Sequence, residues 1–300
     1  MIRADPTIAN VAVVAGAAMQ GRGDLVMFDV ARENANPVLE KLRRLGIAES
    51  GSISLTDTST VLGDASDIAE KAARGNPSDG VVWEQIEDRA RADARLSWSF
   101  LAFLILATLI AGIGRYLDQP ILIIGAMVVG PEFAPLSAIC IAIARRKPAL
   151  IRPAAVTLFG GFAIAVIVAW LLWTVAALTG LISQTQAISG TATGFIVKPD
   201  IWSFIIALLA GCAGILSLTS AKSSALVGVF ISITTVPAVA TIALTLAVGA
   251  WAEAGASAIQ LAVNLLGLLA SGVATVAVQS LAPRARTPRA GTSRPGRRTH

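Results

Sequence analysis

Six long apolar stretches fill residues 98–282, and two of them are interrupted by prolines at corresponding places. The first interruption is GAMVVGPEFAP, residues 125–135, and the second is SITTVP, residues 232–237. Stretches of about 20 apolar residues are long enough to cross the hydrocarbon core of a bilayer. Helices broken at matching positions of two halves are typical of transporter binding sites at the bilayer midplane. The sequence therefore predicts a polytopic α-helical membrane protein with a site where the two breaks meet.

The composition and the distribution of positive charge agree with this prediction. The chain is 55% hydrophobic and 14% charged, whereas soluble domains carry about 25% charged residues. Lys and Arg concentrate before the first stretch, between the second and third, and after the sixth. The positive-inside rule then places both termini in the cytoplasm and predicts a multi-pass protein of the plasma (inner) membrane. The six predicted transmembrane helices cover residues 98–117, 119–144, 152–181, 201–220, 223–249 and 256–282.

A small α+β domain is predicted in the cytoplasm from residues 1–80. Apolar runs at 8–19 and 24–31 indicate two strands, and a helix begins near Asn36. Alternation in SISLT, residues 52–56, predicts a third strand. The resulting β-β-α-β order predicts a ferredoxin-like fold.

Two further segments flank the six predicted spans. Residues 81–97 form an amphipathic connecting helix, which is either a rigid connector or a lever that couples the cytoplasmic domain to the first span. Residues 283–300 contain six arginines and no acidic residue. This composition predicts a disordered cytoplasmic tail that anchors to anionic lipid. The membrane domain itself is expected to be residues 98–282.

The two halves of the membrane domain resemble each other weakly. LATLIAGIG at 106–114 and IALLAGCAG at 206–214 share an Ala-Gly pair followed by a second glycine. Spans one to three would then match spans four to six as a 3+3 inverted repeat. Small-residue helix packing alone is the alternative explanation, and glycine pairs of this kind also suit a homo-oligomer. The small residues are Ala111, Gly112 and Gly114, Ala210, Gly211 and Gly214, and Gly160 and Gly161.

Glu132 is the acidic residue placed well inside a predicted span, between Pro131 and Pro135. An ionised carboxylate at the bilayer centre costs roughly 2.5–3.5 kcal/mol, and proline removes backbone donors and frees carbonyls nearby. One hypothesis is a proton or cation site formed by Glu132 and the carbonyls around Gly130 and Pro131. The alternatives are a carboxylate satisfied by neighbouring amides or hydroxyls, or a re-entrant bend near the surface.

A second polar group surrounds the other break. SLTSAKSSA, residues 217–225, contains Ser220 and Lys222. It is either an ordinary helical hairpin or an anion-binding turn at a helix N-terminus. Thr234, Thr235 and Pro237 form the second break and are candidate hydroxyl and carbonyl ligands. Polar residues in the sixth span, Gln260 and Asn264, are interpreted as groups that hold helices together.

Several classes of function are disfavoured by what the sequence lacks. The histidine count is one, and that residue is His300, which argues against His-based metal sites and catalytic triads. No basic stripe suggests nucleic-acid binding. We therefore expect no enzyme, no cofactor, no metal and no nucleic acid, with the lipid bilayer and an unknown small ion or solute as partners. The leading hypothesis is a transporter or channel. The alternative is a membrane-anchored sensor or scaffold whose N-terminal domain binds a ligand or partner.

Two blocks of the chain resemble a known family. They are SFLAFLILATLIAGIGRYLDQPILIIGAMVVGPEFAPLSAI at 99–139, with its Asp-x-Pro turn and Pro-x-x-x-Pro break, and LLAGCAGILSLTSAKSSALVGVFISITTVP at 208–237. Both resemble an uncharacterised prokaryotic hydrophobic membrane family catalogued as domain of unknown function 389. The resemblance implies a membrane location over residues 98–282 and brings no activity, substrate or site residue. Glu132 departs from the Pro-Leu found at this break in many relatives, so the resemblance gives it no family-wide role.

Overall fold

The structure is a computed structural model that describes residues 2–18, 23–56, 61, 63–73, 80–194, 200–220 and 234–281. The described residues form two compact units that divide between Trp83 and Glu84. The prediction for residues 283–300 lies outside the described residues. The two units are described separately below.

The first unit contains a two-stranded antiparallel sheet and short helices. Ile8 lies opposite Val30 and Val14 lies opposite Leu25. The sheet buries little, because side chains near its turn such as Met27 stay 58% exposed. The elements are β1 (Ile8–Val14), β2 (Leu25–Val30), α1 (Ala35–Arg44), α2 (Ile47–Ser50) and α3 (Asp64–Ala72).

The core of this unit lies under α1. Leu39 packs with Ala35 and Val82, and Val30 and Ile53 complete the cluster. Ala35 and Leu39 are four residues apart on α1, so one stripe of this helix faces the core.

The predicted third strand is wrong. Residues 52–56 are irregular, and the sheet of the described residues has two strands. Ile53 accounts for the error, because it packs on the core cluster without pairing to a neighbouring strand. Alternating polarity requires only that one side chain in two be buried, whereas a strand also needs a backbone partner. The described residues therefore do not complete the predicted ferredoxin-like order.

The second unit is a bundle of mostly apolar helices. Large apolar side chains on its outer surface are exposed, such as Ile121 (74%) and Leu266 (64%). An apolar outer surface of this kind suits a lipid bilayer. The helices are α4 (Trp83–Asp93), which begins in the first unit, α5 (Trp98–Tyr116), α6 (Pro120–Val129), α7 (Phe133–Ala144), α8 (Pro148–Leu178), α9 (Gln184–Ile188), α10 (Ile201–Thr219), α11 (Thr235–Ala247) and α12 (Trp251–Leu281).

Four of the described helices, α5, α8, α10 and α12, are long and apolar enough to cross a membrane. A fifth candidate arises if α6 and α7 are counted together as one span bent by 55°. The predicted span 223–249 is described only from residue 234, where the short α11 forms. The count of six spans and the inverted repeat therefore stay predictions.

The bend between α6 and α7 follows from local chemistry. Gly130 leaves the helical conformation with φ −65° and ψ 129°. Pro131 has no N–H to donate to the preceding turn, so the helix cannot continue through it. Helix α7 resumes at Phe133, directly after Glu132. This places an acidic side chain at a helix break inside an apolar bundle.

The predicted small-residue faces bring helices together within the chain. A Cβ added at Gly112 would lie 2.9 Å from the Trp173 ring, and one at Gly161 would lie 2.7 Å from Phe100. A Cβ added at Gly160 would have no other atom within 4 Å. Gly112 and Gly161 are thus contact points between helices, whereas Gly160 lies on an open face.

Candidate functional site

The two proline breaks lie against each other. Glu132 is 3% exposed, and its Oε1 accepts a hydrogen bond of 2.9 Å from the hydroxyl of Thr235. Gly130 lies against the other carboxyl oxygen, since an added Cβ there would overlap Glu132 Oε2 and lie 2.8 Å from Val236 Cγ2. The end of α6 and the beginning of α11 therefore meet at one carboxyl group.

A third element, α12, joins this contact through the neighbouring threonine. Asn264 Nδ2 donates a hydrogen bond of 2.6 Å to Thr234 Oγ1. Thr234 directly precedes Thr235, which holds Glu132. Three chain segments are thereby joined by two hydrogen bonds between four polar side chains, those of Glu132, Thr234, Thr235 and Asn264.

Not every buried polar atom near this contact is satisfied. Glu132 Oε2, Gln260 Oε1 and Ser257 Oγ are buried without a hydrogen-bond partner. Unsatisfied buried polar groups are rare in folded proteins, and each one points to strain, function or a missing ligand. Gln260 and Ser257 lie one and two turns from Asn264 on the same face of α12.

The predicted site residues have different outcomes. Gly130, Pro131 and Glu132 form the first break, and Pro135 lies buried in the first turn of α7. Thr234 lies at the start of α11, while Thr235 and Pro237 lie in its first turn. Ser220 follows α10 and donates its N–H to the Leu216 carbonyl. Lys222 lies outside the described residues, and with it most of the predicted anion-binding turn.

The interpretation of Asn264 as a group that holds helices together agrees with its hydrogen bond to Thr234, but the sequence interpretation did not connect α12 with the second break. The available signal was a series of polar residues three, four or seven positions apart. That spacing places them on one face of a helix. The series consists of Glu253, Ser257, Gln260, Asn264, Ser271, Thr275 and Gln279.

The single carboxylate of Glu132 is suited to binding a ligand with one positive charge. Within the described parts of the chain, no group of three or more His, Cys, Asp or Glu residues could hold a metal ion. No cationic side chain in those parts contacts the Glu132 carboxyl group. One carboxylate balances one unit of positive charge, and a charge left unbalanced at this depth is costly.

A second polar cluster holds a loop against the C-terminal end of α5. We name residues 183–194 the cap segment. Both carboxyl oxygens of Asp118 accept backbone hydrogen bonds from the cap, including 3.1 Å from Ala192 N and 2.9 Å from Thr193 N. Arg115 Nη1 donates to Thr193 Oγ1 at 2.9 Å. The cap segment is therefore docked on the turn after α5 through Asp118 and Arg115.

The cap hydrogen bonds perturb Asp118. The backbone N–H of Ala192 and the hydroxyl and N–H of Thr193 lower the pKa of Asp118 from 3.8 to about 2. Because the pKa is lowered, this stabilisation is complete above about pH 4 and is lost as the pH falls towards 2. We expect the cap segment to stay docked between pH 5 and 8.

Asp118→Asn is expected to loosen the cap segment. Asparagine would replace one accepting oxygen with an NH₂ donor, which would face the backbone N–H groups that donate to Asp118. Hydrogen exchange of residues 183–194 should become at least tenfold faster at neutral pH. Asp200→Asn is the matched control, because Asp200 caps α10 through Ser203 N at 2.7 Å and asparagine is an equally good N-cap. Equal exchange in Asp118→Asn and wild type would contradict the docking role.

Comparisons with known proteins bear on the membrane unit. Over 206 residues the chain is 28% identical to the uncharacterized protein MJ0678 of Methanocaldococcus jannaschii, which covers 69% of this chain and 62% of that protein. The alignment thus spans less than two thirds of the relative's length. No solved structure matches the chain. Residues 127–270, which contain the prolines of both breaks, match the family described as domain of unknown function (DUF389), and this match confirms the resemblance predicted from the sequence motifs.

Proposed function

We propose that this protein transports a small ion or solute across the plasma membrane, and that Glu132 and Thr235 form its binding site. The observation that carries the proposal is the contact between the two breaks. A buried carboxyl group with one unpartnered oxygen lies where two half-length helices end and begin. Irregular backbone and charge at membrane depth are tolerated when they line a cavity or serve a site.

The predicted inverted repeat is consistent with this proposal. In such a repeat both breaks lie near the midplane and face each other. The contact between Glu132 and Thr235 supports that arrangement, since it joins one break from each half. In this scheme both termini face the cytoplasm and the cap segment lies on the outer side.

Reconstitution of the full chain into liposomes tests the proposal. Currents or ion-selective dyes would follow Na⁺, K⁺, Cl⁻ and H⁺, with the membrane potential set by a K⁺ gradient. At least one ion should move through the wild type, and Glu132→Gln should slow it at least tenfold. Ile121→Leu, on an exposed face of α6, is the matched control. A flux that Glu132→Gln leaves unchanged, or no flux of any ion or of neutral solutes, would refute the proposal.

A sensor or scaffold role is the second candidate. The observation that favours it is the exposed apolar surface of the β1–β2 hairpin, where Val13 and Met27 are each more than half exposed. The occupant we propose is the same hairpin of a second copy, because strands with unpaired edges can extend a sheet across a two-fold axis. Val13→Lys with Met27→Lys should then convert a dimer into monomers in detergent. An unchanged mass by light scattering would exclude this interface.

A further inference from the structure

We propose that the species bound at Glu132 is a proton, and that it arrives from the cap side along a column of Ser257, Gln260 and Asn264. This inference rests on the transport function proposed above and specifies its ligand. It begins from the surroundings of Glu132 Oε2.

The surroundings of this oxygen suit a proton better than a metal cation. Oε2 lies against Gly130, where even a methyl group would overlap it, and the same point lies 2.8 Å from a methyl group of Val236. A hard metal cation would require several oxygen ligands around the carboxyl group. A proton requires no further ligand and no additional space. Binding forms one O–H bond on Oε2 as a hydronium ion becomes water, and release returns the proton to water.

The described groups around Glu132 leave its charge unbalanced. α6 and α11 carry no titratable side chain. The titratable groups on the other membrane helices are thiols or lie near helix ends, and none forms an ion pair with Glu132 among the described residues. They are Arg115, Tyr116, Cys140, Arg152, Cys212 and Glu253. Protonation is therefore the simplest way to neutralise this carboxyl group.

The column on α12 begins at Thr234, the neighbour of the threonine that holds Glu132, and runs towards the cap side. Asn264 contacts Thr234 beside the site, and Gln260 and Ser257 follow at one-turn intervals. The C-terminal part of α11 is at the cap side, because Leu244 packs with Ala187 of the cap segment. α12 begins directly after that end, so Ser257 is the member of the column nearest the cap.

Among the described residues of α12, three buried side chains carry an unpartnered polar atom, and two of them, Ser257 and Gln260, lie in the column; the third is Gln279. Thr241, Ser271 and Thr275 donate their hydroxyls to the carbonyl four residues earlier, at 2.8, 2.9 and 2.8 Å. Ser257 makes no such bond, and Gln260 Oε1 has no partner although Gln260 is 2% exposed. In the route proposed here, the free hydroxyl of Ser257 and the free amide oxygen of Gln260 bind water molecules, which need polar partners of this kind. Protons move along a chain of such water molecules from one to the next.

A proton-uptake assay tests the inference. The full-length protein is reconstituted with a pH-sensitive dye inside the liposomes, and a K⁺ gradient with valinomycin drives cations inwards. Wild type should acidify the interior, Glu132→Gln should abolish this, and Gln260→Leu should slow it at least tenfold. Ile259→Leu, which is 58% exposed on the neighbouring face of α12, should match wild type. Glu132→Asp keeps a carboxyl group and should retain part of the uptake, which separates loss of the site from misfolding.

The possible outcomes separate this inference from the proposed function. Sodium or potassium flux that depends on Glu132, without proton uptake, would support the proposed transport site and refute the proton as its ligand. Proton uptake that Gln260→Leu and Ser257→Ala leave unchanged would overturn the column as the route. No flux of any kind through wild type would refute the transport function itself.

Discussion

Thr235→Val is expected to destabilise the protein by about 1–3 kcal/mol and to reduce Glu132-dependent flux at least tenfold. Valine preserves the shape of threonine but removes the hydroxyl that donates to Glu132 Oε1 at 2.9 Å. Since Oε2 already has no partner, the variant leaves both carboxyl oxygens unsatisfied. A buried acceptor that loses its donor costs about 1–3 kcal/mol. Thermal unfolding in detergent and liposome flux are the two measurements.

The control for this variant lies on the same helix. Thr241 is as fully buried as Thr235, but its hydroxyl donates to the Pro237 carbonyl at 2.8 Å. That carbonyl keeps its helical hydrogen bond in Thr241→Val, so the change should cost less than 1 kcal/mol. Thr235→Ser restores the donor and should recover most of the stability. In a Glu132→Leu background Thr235→Val should lose its effect, and an equal cost in both backgrounds would show that the two side chains are not coupled.

Gly211→Ala is expected to destabilise the bundle by about 1–3 kcal/mol. An added Cβ would overlap Ser271 Oγ and lie 2.7 Å from the carbonyl oxygen of Leu268. The serine can rotate away, but the backbone of α12 cannot move without separating α10 from α12. The midpoint of thermal unfolding should fall, and the site that α12 helps to form should lose flux with it.

Gly160→Ala is the opposite case. Nothing lies within 4 Å of the added methyl group, and the glycine lies inside the long helix α8. Alanine then gains about 1 kcal/mol of helix propensity. The two variants therefore differ in sign although the substitution is the same. A comparable loss in both would mean that Gly160 also packs against a partner, most simply a second copy of the chain.

The sequence was most informative where the cause of a structure is local. The break at Pro131 was predictable because a missing N–H acts within one helical turn. The size of the bend, 55°, was not predictable, because it depends on the neighbouring helices. The strand predicted at residues 52–56 failed because Ile53 packs without a backbone partner, and pairing is a long-range property.

The contacts of the candidate site are also long-range. Glu132 and Thr235 are 103 residues apart, and Asp118 is 75 residues from Thr193. Residue types at single positions could suggest that Glu132 is important, but not which hydroxyl it meets. Asn264 was interpreted as a group that holds helices together, and its hydrogen bond to Thr234 agrees with this, but the sequence alone could not name that partner.

The half-length helices have an electrical consequence. α6 has 10 residues and α11 has 13, which at about 1.5 Å per residue correspond to roughly 15 and 20 Å. In the proposed membrane arrangement, Glu132 would then lie near the middle of a hydrocarbon core of about 30 Å. A charge that reaches this level crosses about half of the transmembrane voltage, so 100 mV changes its binding free energy by about 1.1 kcal/mol. Under the proposed transport function, occupancy of the carboxyl group by a charged ligand should then change roughly sixfold per 100 mV, so the site would respond to membrane potential as well as to its ligand.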